Sequence, residues 1–129
     1  MYDLMDRKVD DLRTPDRLTL DAMRAWVHSL TLAGEPKRAV AGRFIDGGSS
    51  FDAAMHLLDR CSSDTLSFQR PCHPRVEEIE AVLLGLWRLV IEGREADATA
   101  TAAMLVDADA APALVRAIRR VPPPRGTIH

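Results

Sequence analysis

Two cysteines in 129 residues are too few for a disulfide framework, and they do not form the paired Cys-x-x-Cys knuckles of a zinc ribbon. Two reduced thiols in the cytosol are therefore expected. Aromatic residues make up only 5% of the chain, so alanine, leucine and valine must build most of the core, a composition suited to closely approaching helices. Neither sign of charge dominates: 17 basic residues face 19 acidic ones, and no global field draws the protein toward nucleic acid or anionic lipid. No stretch reaches the roughly 18 consecutive apolar residues of a membrane-spanning helix. The opening Met-Tyr-Asp-Leu-Met-Asp lacks the basic start and apolar centre of a signal peptide. A cytoplasmic protein without a membrane partner is the expectation. Gly-x-Ser-x-Gly, Gly-x-Gly-x-x-Gly and P-loop motifs are all missing, which removes the usual signatures of hydrolases and nucleotide binders.

What the chain does have is helical punctuation. Thr14-Pro15-Asp16 reads as a helix start, because proline is pre-organised for the first helical position and a carboxylate there faces the positive end of the helix dipole. Leu18, Ala22, Met23, Trp26, Val27, Leu30 and Ala33 follow at helical spacing, and Gly34 can take the left-handed conformation that ends the helix. Pro36 opens a short helix with Ala39, Val40, Phe44 and Ile45 as its stripe. Ser49 and Ser50 can cap the next, Ser49 with Asp52 resembling a capping box, and Phe51, Ala54, Met55, Leu58 and Cys61 line one face. The strongest run, Val76, Ile79, Val82, Leu83, Leu86, Leu89 and Val90, predicts a helix from Pro74 to Glu92, closed by Gly93. Glu77, Glu78 and Glu80 then form a solvated helix start. Glu95 to Val106 is rich in alanine and predicts another helix, and Pro112 with Leu114, Val115 and Ile118 a last one. Leu66 and Phe68 anchor an extended linker.

These signals predict an all-α, single-domain bundle of five to six helices with short loops. Its helical domain covers residues 14–121. Residues 1–13 form an N-terminal segment with a short amphipathic helix through Leu4, Met5, Val9 and Leu12. Residues 122–129, headed by Pro122-Pro123-Pro124, form a disordered tail.

Chemistry-bearing residues are sparse. Cys72 and His73 precede the predicted helix start, where free N–H groups and the helix dipole would favour a thiolate; His73 can equally serve as a cap. Cys61, Cys72 and His73, with His56, are chemically competent zinc ligands. Residues five apart on a helix differ by roughly 140°, however, so His56 and Cys61 point apart, and Cys61 sits on an apolar stripe. No cofactor or metal is expected. Asp46-Gly47-Gly48-Ser49-Ser50 could offer N–H groups to phosphate, but is also an ordinary turn followed by a cap. A helix-turn-helix over Pro36 to Arg60 would present Phe51-Asp52-Ala53-Ala54-Met55-His56, a poor reader of bases. Arg116, Arg119 and Arg120 could meet an acidic partner or RNA, yet arginines also suit the end of a final helix. Nucleic acid is not the expected partner, nor is an enzyme the expected class.

Phe68-Gln69-Arg70-Pro71-Cys72-His73-Pro74-Arg75, with Ala22-Met23-Arg24 on an early helix and a closing Leu114-Val115 helix, resembles a family of small helical bacterial proteins of unknown function. The resemblance spans roughly residues 18–121. That family carries further cysteines before its Pro-Arg, where this chain has Cys72-His73, and the likeness implies helices without an assigned activity. The expected function is protein interaction, most simply as a homodimer whose small-residue faces pack. Trp87, Ala98 and Ala102 are the expected contacts, with Arg116, Arg119 and Arg120 as a second surface. A thiol or metal sensor at Cys61, Cys72 and His73, or a nucleic-acid accessory protein, is the alternative.

Overall fold

A computed structural model describes residues 7–62 and 68–126. Among them are six α-helices: α1 (Thr14–Thr31), α2 (Pro36–Val40), α3 (Ser49–Cys61), α4 (Glu78–Ile91), α5 (Glu95–Ala102) and α6 (Ala111–Arg119). No strand occurs among the described residues; two isolated bridges join Lys8 to Arg75 and Ser62 to Val106. The all-α bundle read from periodicity is the fold. It packs around α4, whose residues from Glu80 to Trp87 are all buried. Leu20, Met23 and Trp26 of α1, Phe51, Met55 and Leu58 of α3, and Leu114, Val115 and Ile118 of α6 close over it. No described helix is long and apolar enough to cross a membrane.

Several boundaries differ from expectation, each for a local reason. The helix foreseen within residues 1–13 is replaced, over its described part, by an extended stretch and a turn of 3-10 helix (Val9–Asp11). Val9 N–H donates to the Pro74 carbonyl and Val76 N–H to the Arg7 carbonyl, so this segment spends its hydrogen bonds on the loop before α4. Leu4 and Met5 lie outside the described residues, as does Leu66. That same pairing delays α4 until Glu78, four residues past Pro74. At the end of α1 it is Ala33, not Gly34, that turns left-handed, with φ 57°. Gly34 lies close to the helix end instead: its N–H donates to the Ser29 carbonyl, and a Cβ there would lie 2.8 Å from Ser29 Oγ, which would have to turn away.

The Ser49–Asp52 capping box does not form. Asp46 caps α3 instead, its two carboxylate oxygens accepting the N–H groups of Gly48 and Ser50. Partial burial pushes the Asp46 carboxyl up, but the hydroxyl and N–H of Ser50 and the N–H of Gly48 outweigh it and hold the group below its ordinary value. Those N–H groups are thereby spent on Asp46, which removes the phosphate reading of the Gly-Gly turn. Ala39 and Ile45 leave the predicted stripe for solvent, while Val40 and Phe44 are buried. The alanine-rich helix ends at Ala102 because the chain is drawn out beside the end of α3. There Val106 bridges Ser62, and Asp107 N–H donates to the Cys61 carbonyl.

Candidate functional site

Helices α1 and α4 run antiparallel, joined by two ion pairs. Each helix carries an acid near its positive end, Asp16 and Glu80, and an arginine eight residues further on, Arg24 and Arg88. The acid of one meets the arginine of the other, Arg24 with Glu80 and Arg88 with Asp16. Eight residues are about 12 Å of helix, which separates the two pairs along the contact. Both carboxylates also face the helix dipole favourably.

The Arg24–Glu80 pair has no exposed side-chain surface. Arg24 Nε donates to Glu80 Oε2 at 2.8 Å and Nη2 to Oε1 at 2.7 Å, a two-point fork. Its remaining donors hold the loop before α4: Nη1 reaches the His73 carbonyl at 2.7 Å and Nη2 the Arg75 carbonyl at 2.8 Å. Glu80 in turn accepts the N–H groups of Gln69 at 3.1 Å and Glu77 at 2.9 Å. Burying a charge pair is tolerable only when the remaining polar atoms are also satisfied, and here they are. Glu80 is therefore no solvated helix start but the centre of a buried network.

This network settles the position of Cys72 and His73. They lie on the held loop, with α4 beginning only at Glu78, so Cys72 is not the residue that leads into the helix. His73 Nδ1 is engaged by its own loop, 3.2 Å from the Arg75 N–H and 3.0 Å from the Arg75 carbonyl. Cys72 is exposed, Cys61 is half-buried against the core, and both are free thiols. Among the described residues no three His, Cys, Asp or Glu side chains converge to hold a metal. His56 instead sets its ring edge-on to Trp26, whose indole donates to Asp52 at 2.8 Å.

The second pair stands at the opposite end of the contact, beside an apolar cleft of about 350 Å³. Pro15, Asp16 and Thr19 of α1 form one wall, and Leu84, Trp87 and Ile91 of α4 the other. Phe44 and Ile118 contribute to the lining, and Val121 to Pro124 closes a further side. The proline segment foreseen as a disordered tail is thus placed against the bundle as far as Gly126. Arg125 N–H donates to the Arg43 carbonyl at 2.7 Å. The expected tail residues Thr127, Ile128 and His129 lie outside the described residues.

Polar groups of the cleft are less completely paired than those of the Arg24 network. Arg88 Nη2 meets Asp16 Oδ2 at 2.5 Å, with Arg13 Nε at 3.6 Å from the same oxygen; Arg88 itself lies outside the cleft lining, beside the depression at Arg94 and Asp97, and its Nε is buried without a partner. Thr19 is 6% exposed and Trp87 is 5% exposed, and among the described residues neither its hydroxyl nor its indole N–H, respectively, has a hydrogen-bond partner. A second, more open depression beside Arg94 and Asp97 differs, because those two side chains pair with each other at 2.6 Å.

The remaining sequence-selected residues separate into interior and surface. Trp87, Ala98 and Ala102 are buried within the single chain, where the alanines let α5 approach α4 and α6. Arg116, Arg119 and Arg120 are exposed, and Arg119 is already paired with Glu95 at 2.7 Å. That hydrogen bond, with the charge of Arg119, holds the Glu95 carboxyl below its ordinary value. Asp21 behaves oppositely: burial raises its carboxyl despite Arg43, Arg17 and Arg24 nearby. Compared with known proteins, the chain matches no family model, no curated protein and no solved structure.

Proposed function

We propose that this chain is a small cytoplasmic helical protein that works by protein interaction, and that its first partner is a second copy of itself. One observation carries the reading: Ile91, at the end of α4, is 75% exposed at the rim of the apolar cleft. Ile45, which follows the cleft residue Phe44, is 78% exposed. Large apolar side chains standing in water beside a concave apolar surface are what a self-complementary contact needs. A two-fold contact at this rim would bring Ile91 of both copies together over the cleft mouths. The formal net charge of −2 opposes such pairing only weakly. With Ala98 and Ala102 used inside the chain, this rim replaces the small-residue face as the proposed contact.

Light scattering across a concentration series tests the reading. The wild type is expected to rise from monomer to dimer mass. Ile91→Glu should weaken that association at least tenfold, because the change places a carboxylate against its own copy across the symmetry axis. At a concentration where both proteins are monomers its unfolding midpoint should equal that of the wild type, since Ile91 contributes little to the core. A wild type that remains monomeric at high concentration overturns the proposal.

A further inference from the structure

The cleft's polar groups specify more than an apolar surface. Asp16 and Thr19 are three residues apart on α1 and so share one face, and Leu84, Trp87 and Ile91 share a face of α4 by the same spacing. Three of these residues, Asp16, Thr19 and Trp87, are each more than nine-tenths buried. Neither the Thr19 hydroxyl nor the Trp87 N–H has a partner among the described residues, and neither atom is sealed from water, so each can meet a polar group that enters the cleft. Thr31 and Thr99, both at the surface, donate to carbonyls four residues earlier in their helices. Thr19 does not, and Trp87 contrasts in the same way with Trp26, whose indole is satisfied by Asp52. Asp16 binds its arginines through Oδ2, leaving Oδ1 available as an acceptor.

We infer that the cleft is a binding site for a neutral apolar molecule bearing a hydroxyl group, an alcohol or phenol. The hydroxyl donates to Asp16 Oδ1 or Thr19 and accepts from the Trp87 N–H or Thr19, while the hydrocarbon part lies among Phe44, Leu84 and the prolines. An anionic head would be repelled by Asp16. A cationic one would compete with Arg88 for a carboxylate already neutralised. The cleft volume of about 350 Å³ falls at the small end of the range for ligand sites, about 300–1,000 Å³.

The two indole N–H signals of the full-length protein give an internal control in a two-dimensional NMR titration with 4-propylphenol and, separately, its hydrocarbon counterpart propylbenzene. The phenol should shift the Trp87 signal saturably, leave the Trp26 signal in place, and bind at least fivefold more tightly than the hydrocarbon. Thr19→Val keeps the side-chain shape and should remove most of that preference while leaving propylbenzene binding unchanged. The titration is repeated on Ile45→Glu, an exposed position on the same rim but outside the cleft lining, with the mass measured on the same sample. Failure of self-association, read as mass, is thus separate from failure of the ligand site, read at Trp87. No saturable shift of Trp87 in either protein, or equal binding of phenol and hydrocarbon, overturns the inference.

Discussion

Two ends of one helix contact treat buried polar atoms in opposite ways. At the Arg24 end each side-chain nitrogen and each carboxylate oxygen of the pair finds a partner, and the network reaches beyond the two helices to hold the loop from Gln69 to Glu77. At the Asp16 end, Arg88 Nε is buried without a partner, and the Thr19 hydroxyl and Trp87 N–H, which line the cleft and are not sealed from water, have none among the described residues. The same chemical pair thus serves two purposes. A saturated pair specifies a structure, because no alternative packing satisfies so many groups at once; an unsaturated pair beside a concave surface retains capacity to bind.

The largest effect expected from breaking this comparison is at Arg24. Arg24→Met removes the fork from a carboxylate with no access to water and should destabilise the fold by about 3–5 kcal/mol in urea titration. The double variant with Glu80→Leu should recover part of that loss, since no unpaired charge is left behind. It should not restore the loop, whose His73 and Arg75 carbonyls no longer meet the Arg24 guanidinium. Faster hydrogen exchange at the Gln69 and Val76 amides in the double variant would confirm that the network's second task is positioning. Equal stability of the Arg24→Met single variant and the wild type would remove the network from the folding argument.

Arg88→Met at the other end should cost less, about 1–2 kcal/mol, because the arginine is 28% exposed and water can replace it at Asp16. The pair is worth comparing by the ratio of the two losses. If the Arg88 variant were as damaging as the Arg24 variant, the cleft end would belong to the rigid core and the distinction between the two ends would fail.

Much of the bundle was legible because apolar spacing and proline or glycine punctuation are local signals. α1, α3, α4 and α6 all stand within a few residues of where their periodicity places them. What periodicity could not supply was the destination of the charges. Glu80 looks like any acid in a first turn, and Arg24 like any surface arginine on a polar face, until the antiparallel packing brings them together. One signal was present nonetheless: an acid followed by arginine eight residues later occurs in both helices, as Asp16 with Arg24 and Glu80 with Arg88. That matched spacing is what two antiparallel helices need to exchange charges twice. The start of α4 was misplaced for a related reason, since Arg7 and Val9 take its foregoing residues into backbone pairing and Arg24 takes their carbonyls. The cleft was not legible at all. Pro122 to Pro124 reads as the end of regular structure, and nothing local says that such a segment returns to the bundle and makes a wall.

The smallest effect expected is also the one with the opposite sign. In the ligand-free protein, Thr19→Val replaces a hydroxyl that has no partner among the described residues by a methyl of the same shape. Valine is slightly the poorer helix former at some positions, but both side chains are β-branched, so that difference is minor. Removing a hydroxyl that makes no bond within the described structure should therefore leave stability unchanged or raise it slightly, by less than about 1 kcal/mol. At the saturated end, truncating any member of the network lowers stability. A urea midpoint for Thr19→Val at or above that of the wild type, measured on the same preparation that has lost its preference for 4-propylphenol, would separate the two ends by the sign of a mutation. A midpoint lowered by 1 kcal/mol or more, which is roughly what a typical satisfied hydrogen bond is worth, would mean that Thr19 has a structural partner and that the cleft is saturated after all.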